Sequence, residues 1–358
     1  MSLSQMRQSE IIVLLQKSQS GMTSSEIFTR LSKKIKTSEI TLKRDLANLV
    51  LKGLVLRQGK ARATQYLLSP LYEVVMDIDP STYFLVDVDQ RPSFLKFQFN
   101  IFEKIKSLQV FSSAELEKLK DLAVEHQVQK SQLSSSMIKR EYERLTIELS
   151  WKSSAIEGNT YSLLETETLL KEGLGAKGKR PEETQMLLNH KATIEYFRQQ
   201  ASDYKKLSVQ KIEEIHKLLV KDLDVPVSIR KRMVAITGTK YRPLDNEFQT
   251  REALGSACLF INSRKSVFEK AFWAILLISY IQPFEDGNKR TSRMVSTALL
   301  LSENLVPLSY RSVNINDYKQ AILLFYERNN ISVFKRIFIE QVEFATHNYF
   351  RATPPVGT

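Results

Sequence analysis

The stretch "AFWAILLISYIQPFEDGNKRTSR", residues 271–293, constrains this chain more than any other. Its first part, 271–281, is the most apolar run in the sequence and is too short to span a bilayer, so it is expected to form a buried helix. Pro283 disfavours a helical conformation at the residue before it, which predicts a stop near Ile281. Phe284 would pin the following loop to the core. Gly287 and Asn288 tolerate left-handed backbone and let the chain approach an anion closely. A helix starting near Asn288 would then direct free N–H groups at that anion. Arg290 and Arg293 are three residues apart and point the same way. Asp286 is a hard oxygen ligand of the kind that holds Mg²⁺ against phosphates. Loop, carboxylate and two arginines together suit a polyphosphate with its metal. A plain helix N-terminus with a capping acid and two surface arginines would account for "DGN" alone, but not for the whole string.

The rest of the composition narrows the setting. The 358 residues suffice for two or three domains, and hydrophobic and charged fractions of 42% and 26% are those of an ordinary globular protein. A single cysteine, Cys258, excludes an internal disulfide and fits a reducing, cytoplasmic setting. With four histidines, it leaves little material for a zinc site. The first residues carry no long apolar core, so neither a signal peptide nor a membrane partner is expected. The net charge of +12 favours a polyanion, nucleic acid or nucleotide phosphate, although it equally serves solubility.

Residues 1–69 read as three short helices and a hairpin. Ile11, Ile12, Leu14 and Leu15 recur at helical spacing within 9–17. Thr23 or Ser24 is a candidate N-cap with Glu26 in the first turn. A third helix would start near Thr37 or Ser38, bury Leu42, Leu46, Leu49 and Val50, and end at Gly53. Two strands would then flank a basic turn at 58–63. Residues 72–98 look like an irregular linker that packs on its neighbours, within a linker and helical region at 70–140. From residue 141 onward nearly everything is helical, apart from glycine-rich breaks near Gly173 and Gly178 and a hairpin expected at 234–243.

Three resemblances rest on these residues. "TLKRDLANLVLKGLVLRQGK" resembles the recognition helix and wing of DeoR-type winged-helix domains. That likeness would put Thr41, Lys43, Arg44 and Lys52 near DNA, with Arg57, Lys60 and Arg62 on the wing. A winged helix used for protein contacts stays open. "QPFEDGNKRTSR" resembles the Fic (Fic/DOC) signature His-x-Phe-x-Asp/Glu-Gly-Asn-Gly/Lys-Arg-x-x-Arg, with Gln282 in place of the leading histidine. "SSAIEGNTYSL" resembles the inhibitory-helix motif of that family, filled by Ser153, Glu157 and Gly158.

The resemblance implies a mainly α protein. An all-helical Fic fold with a β-hairpin flap would occupy 141–350, with the inhibitory helix around 150–160, behind a small α/β winged helix-turn-helix domain. It implies transfer of AMP from ATP to a hydroxyl of a target protein, the chain itself included. ATP and Mg²⁺ are the implied cofactors, and a homodimer is left open. Asp286 would hold Mg²⁺. Phe284 and 287–289 would line the nucleotide site, with Arg290 and Arg293 on the phosphate chain and Tyr318 and Asn329 near adenine. Ile236, Thr237, Gly238, Thr239, Lys240 and Tyr241 would form the target-docking edge of the flap. Glu157 would pair with Arg293 and displace the γ-phosphate, since carboxylate and phosphate compete for one guanidinium.

The family histidine takes the proton of the attacking hydroxyl. A glutamine amide cannot do so, and loss of a positioned base costs about 10²–10⁴ in rate. Low or no transfer with retained nucleotide binding is therefore expected. Altered chemistry with His190 or His216 as substitute base is open, but both sit in apolar helical patterns that suit a core or capping role. The other reading is an inactive, nucleotide-sensing transcriptional regulator that binds DNA.

Overall fold

The computed structural model describes residues 3–18, 20–60 and 63–352. The chain divides into two compact units. One comprises Met1–Asp77 with Glu103–Leu108, the other Ile78–Phe102 with Gln109–Thr358. Among the described residues no helix is long and apolar enough to cross a membrane.

The first unit runs α1 (Leu3–Gln16), β1 (Met22–Thr23), α2 (Ser24–Leu31), α3 (Glu39–Leu51), β2 (Val55–Gln58), β3 (Gln65–Leu68) and α4 (Pro70–Val75). Thr23 caps α2 in a reciprocal box: its hydroxyl accepts from the Glu26 N–H, and the Glu26 carboxylate accepts from the Thr23 N–H at 2.7 Å. Ser38 caps α3, and Gly53 (φ +68°) makes the left-handed turn beyond it. The strands pair antiparallel in the order β1-β3-β2, with Val55 opposite Leu68 and Met22 opposite Tyr66. Leu42, Leu46 and Leu49 bury against Ile11, Leu15, Ile27 and Leu31, while Val50 is only half-buried. A buried ion pair ties α1 to α3, with Arg7 Nε 2.6 Å from Asp45 Oδ2. Burial alone would raise the Asp45 pKa, but the Arg7, Gln8 and Ser4 donors outweigh it and hold the carboxyl below its usual range.

The chain continues with the short α5 (Pro80–Tyr83) and α6 (Ile101–Ile105). The second unit's long helices follow: α7 (Ser113–Ser131), α8 (Ser135–Ile156), α9 (Leu163–Glu172), α10 (Pro181–Gln200), α11 (Val209–Leu219), α12 (Glu247–Ser263), α13 (Val267–Ile281), α14 (Asn288–Ser302), α15 (Ile315–Arg328) and α16 (Ser332–Asn348). Helix α13 is its centre: every residue of 271–281 is buried, with Phe272 and Trp273 packed edge to face. The helix stops at Ile281, as Pro283 requires.

The hairpin expected at 234–243 does not form as a ladder. A turn is present at 237–238, where Gly238 has φ +85°, but no backbone hydrogen bond joins its two arms. The reason is competition. The Gly238 carbonyl accepts from Arg91 Nη2 at 2.6 Å, and the Arg242 N–H donates to Leu95 O at 3.0 Å. Groups that would have paired across the turn are taken by a distant segment.

Candidate nucleotide site at the α13–α14 loop

The loop between α13 and α14 is fixed from several sides. Gln282 ends α13 in the left-handed region (φ 51°). The Asn288 side chain brackets Phe284, accepting from its N–H and donating to its carbonyl, both at 2.8 Å. Phe284 is fully buried and lies flat on the His216 ring, 3.6 Å between centroids at 2°. His216 Nε2 is 3.0 Å from the Asp286 carbonyl. At Gly287 (φ +77°) the left-handed conformation favours glycine, and a Cβ would sit closely against Val220 at 3.3 Å. The outcome is a sharp turn that presents the unpaired first N–H groups of α14.

A cavity of about 370 Å³ opens at this turn. One wall is polar, formed by Gln282, Asp286, Gly287, Lys289 and Arg290. The other is apolar, with Ile236, Tyr318, Ile322, Leu323 and Tyr326. Such a division suits a ligand with an anionic end and a flat or apolar end. Arg290 is 2% exposed, and its Nη2 donates to Asp286 Oδ2 at 3.2 Å. Its Nη1 is buried without a hydrogen-bond partner. Burial lowers the Arg290 pKa and the Asp286 and Glu157 carboxylates oppose this; a guanidinium remains charged throughout. A buried cationic donor with no acceptor is a place for an anion.

Asp286 keeps its carboxylate largely exposed. Among the described residues no group of three or more His, Cys, Asp or Glu side chains could cage a metal. One largely exposed carboxylate beside an anion loop fits Mg²⁺, which is commonly held by one or two carboxylates plus phosphate oxygens.

Behind the loop lies a buried ion pair. Arg293, fully buried, donates through Nη2 to Glu157 Oε1 at 2.8 Å and to the Ser153 carbonyl at 2.8 Å, and through Nε to Ser153 Oγ at 2.9 Å. Lys289 Nζ stands 3.5 Å from Glu157 Oε2. Gly158 (φ +96°) makes the left-handed turn that lets the chain leave α8 directly after Glu157. Burial would raise the Glu157 pKa, but Arg293, Lys289 and Arg290 outweigh it and hold the carboxyl below the ordinary glutamate range. The sign follows: a depressed pKa contributes stability at neutral pH that is lost only as pH falls through the folded-state value. The stability gap between the unmodified chain and Glu157→Gln should stay flat from about pH 8 to 6 and narrow below about pH 4. Urea midpoints measured across that range check it.

The histidines are occupied elsewhere. Ser153 Oγ accepts from Arg293, so its proton goes to His190 Nε2 at 3.1 Å, and His190 Nδ1 donates to Met186 O at 2.9 Å. Burial, then Arg290, pushes His190 down to about 3, and burial pushes His216 down to about 4. Both are neutral, fully buried and absent from the cavity wall. Neither stands where a substitute base would have to be.

Gln282 does line the cavity, 7% exposed. Its Nε2 donates to Ser279 O at 2.6 Å and to the Tyr326 hydroxyl at 3.2 Å, and its backbone carbonyl accepts from Arg230 Nε at 2.6 Å. Tyr318 also lines the cavity. Four expected residues sit differently. Asn329 is a buried left-handed C-cap of α15, donating to Phe325 O, because the helix end needs that conformation. Phe284 and Arg293 are fully buried and do not form the cavity wall, the first as core plug and the second because Glu157 covers it. Tyr241 is 1% exposed and stacks on Tyr280 at 4.8 Å, with its hydroxyl donating to Tyr280 O at 2.8 Å; it anchors the turn rather than offering an edge. In the first unit Lys43, Arg44, Arg57 and Lys60 are exposed and Thr41 half-buried, while Arg62 lies outside the described residues. Sequence reasoning missed Arg230 and Tyr326. Arg230 stands in a run of cations, "RKR", that singles out none of them.

The Fic/DOC family model matches residues 206–300, which contain α11 to α13, the loop and most of α14. Among curated proteins, the protein adenylyltransferase fic-1 of Caenorhabditis elegans is 24% identical over 160 residues, 43% of this chain and 31% of that protein. The protein adenylyltransferase Fic of Aedes aegypti is 25% identical over 232 residues, 60% of this chain and 44% of that protein. The chain thus spans about a third to under half the length of these relatives. Among solved structures, a Fic-1 fragment from C. elegans superposes with TM-score 0.55 at 19% identity, covering 66% of this chain and 72% of that one. A Fic family protein from Desulfovibrio desulfuricans gives TM-score 0.54 at 20% identity, covering 66% and 74%. Residues 206–300 are thus similar to the Fic/DOC family, and the second unit shares the fold of these solved Fic structures.

Proposed function

We propose that the cavity is the ATP site of a protein adenylyltransferase in which Glu157 restrains the nucleotide and Gln282 impairs transfer. The observation that carries this reading is the pairing of a partnerless buried Arg290 donor with an Arg293 whose outer face is taken by Glu157. In the reaction, a target hydroxyl attacks the α-phosphorus of ATP. An O–P bond forms, the bond to the β-phosphate oxygen breaks, and pyrophosphate leaves. The N–H groups at the start of α14 and Arg290 would hold the phosphates, and Asp286 the Mg²⁺, which supplies charge neutralisation between them. Tyr318, Ile322 and Tyr326 would receive the base. Arg293 would reach the γ-phosphate only after Glu157 leaves it. The hydroxyl's proton has no acceptor at position 282, since an amide nitrogen that donates to two oxygens offers no basic site. The partners are ATP and a hydroxyl-bearing protein, the chain itself included. Labelling by radioactive ATP in Gln282→His and Gln282→His/Glu157→Gly variants tests the reading.

A second reading, a nucleotide-sensing DNA-binding regulator, is favoured by one observation. Lys43, Arg44, Arg57 and Lys60 are exposed on the first unit, a winged-helix candidate, and none makes an ion pair among the described residues. Four phosphate contacts predict that DNA affinity falls about a hundredfold between 50 and 200 mM salt, and that Lys43→Ala lowers the salt slope by about one. Fluorescence-anisotropy titrations at several salt concentrations check this. A salt-independent or undetectable signal removes the reading.

A further inference from the structure

Another cavity, of about 790 Å³, lies wholly within the first unit, bounded by α3, the start of α2 and the β2–β3 pair. Its volume is that of a small-molecule site, which spans about 300–1,000 Å³. One wall is a single row along α3. Lys43, Ala47 and Leu51 follow one another at intervals of four residues and so stand on one face of the helix. The row runs from a cation to an apolar end, and Leu51 is 86% exposed. The sheet contributes Arg57 and Tyr66, which are directly paired in the β2–β3 ladder and therefore share a face. The helix row and the strand pair thus each set a cation beside apolar surface.

The polar part has a definite sign. Lys43 and Arg57 are exposed and form no ion pair among the described residues. Ser24 and Ser25 also line the cavity; they open α2, so their N–H groups have no acceptor within the helix. No acidic side chain lines it. The Glu26 carboxylate is held instead by the Thr23 N–H at 2.7 Å and the Thr23 hydroxyl at 2.8 Å. A separate observation comes from Thr64, another lining residue. It is 9% exposed, and its Oγ1 has no hydrogen-bond partner. A buried hydroxyl left unpaired costs free energy that a ligand atom would recover. The apolar part limits what that ligand is. Leu51, and Ile40 at 83% exposure on the same helix, offer bare hydrocarbon that a row of backbone phosphates cannot use.

We propose that this cavity binds a small amphipathic anion, with a carboxylate or phosphate head between Lys43, Arg57 and the start of α2 and an apolar body along Ala47, Leu51 and Tyr66. Thr64 donates its hydroxyl proton to the ligand. The site is independent of the nucleotide cavity and of the transferase reading. An occupant covers Lys43 and Arg57, two of the four cations on which DNA binding by this unit would depend, so the ligand acts there as an effector that competes with DNA.

The test titrates the full chain with 8-anilinonaphthalene-1-sulfonate, an aromatic anion that fluoresces when bound, and with its uncharged counterpart N-phenyl-1-naphthylamine. The anion should bind saturably and at least about tenfold more tightly than the neutral probe. Lys43→Ala/Arg57→Ala should weaken it about tenfold, and so should Leu51→Asp. All three side chains are exposed, so the urea midpoints of these variants should stay where they are. Thr64→Val carries a signature that a purely structural residue would not show: it should raise the urea midpoint, because an unpaired buried hydroxyl is gone, and yet weaken the anion about threefold. Octanoate and octyl phosphate, added as competitors, distinguish the two heads, and displacement by either upholds the site. Displacement by neither overturns it, as does a fluorescence signal that none of the variants changes. Duplex DNA binding that Lys43→Ala/Arg57→Ala weakens, with no anion signal that depends on those cations, assigns the face to DNA and overturns the proposal as well.

Discussion

Gln282→His combined with Glu157→Gly should raise labelling by radioactive ATP by about 10²–10⁴-fold over the unmodified chain. The substitution restores a group with a pKa near neutrality at the one cavity position that lies beside the anion loop and is held from both sides. Its backbone is in the left-handed region, which histidine tolerates better than most residues. The Arg230 bond to the 282 carbonyl involves main chain only and survives the change. Gln282→His alone should label weakly. Arg293 would still be engaged by Glu157 and Ser153, so ATP would bind with its phosphate chain displaced from the attacking hydroxyl. Glu157→Gly alone should bind ATP more tightly yet stay slow, because the proton still has no acceptor. Strong labelling by the double variant only separates the two devices, restraint and missing base. ATP binding without labelling in any variant would sink the transferase reading and leave the regulator.

How much of this was legible in the sequence depended on the distance over which each feature is built. The loop was legible because Pro283, Gly287 and Asn288 determine local backbone, and the structure puts the helix stop at Ile281 and the restart at Asn288. The caps Thr23 and Ser38 were legible for the same reason. The contact of Glu157 with Arg293 spans 136 residues, and no local pattern points from one to the other; only the resemblance did. The hairpin failed at the same scale. Alternation at Val234 and Ile236 promised a ladder, but Arg91, 147 residues away, claims the Gly238 carbonyl. Tyr241 was an expected edge residue only through the resemblance to the family's flap. It lies instead in a stack with Tyr280 and Tyr326, gathered from three separate segments. The Arg7–Asp45 pair was invisible because charged residues are read by default as surface.

Arg293→Ala should cost about 3–5 kcal/mol of unfolding free energy, the loss typical when one partner of a buried pair is removed. Arg293 is fully buried and Glu157 has only 18% of its side chain exposed, so water replaces the guanidinium only in part. The nearest remaining cation, Lys289, stands 3.5 Å off on the other carboxylate oxygen, and Ser153 loses the Arg293 donors to both its hydroxyl and its carbonyl. Glu157→Gly should cost less. It leaves Arg293 with its two Ser153 bonds, and the vacated space joins a cavity that Glu157 itself lines. Urea unfolding followed by the fluorescence of Trp151 and Trp273, both in the second unit, measures each loss. The pH dependence distinguishes a broken ion pair from a mere packing defect. Without Arg293, burial raises the Glu157 pKa, so the penalty is largest above that pKa and recedes as acid protonates the carboxyl. Millimolar ATP should then raise the midpoint of Glu157→Gly more than that of the unmodified chain, since only there is Arg293 free to meet a phosphate and ligand affinity adds to stability. An Arg293→Ala variant within about 1 kcal/mol of the unmodified chain, with no change in that gap on acidification, would mean that Glu157 is solvated and that the restraint does not exist.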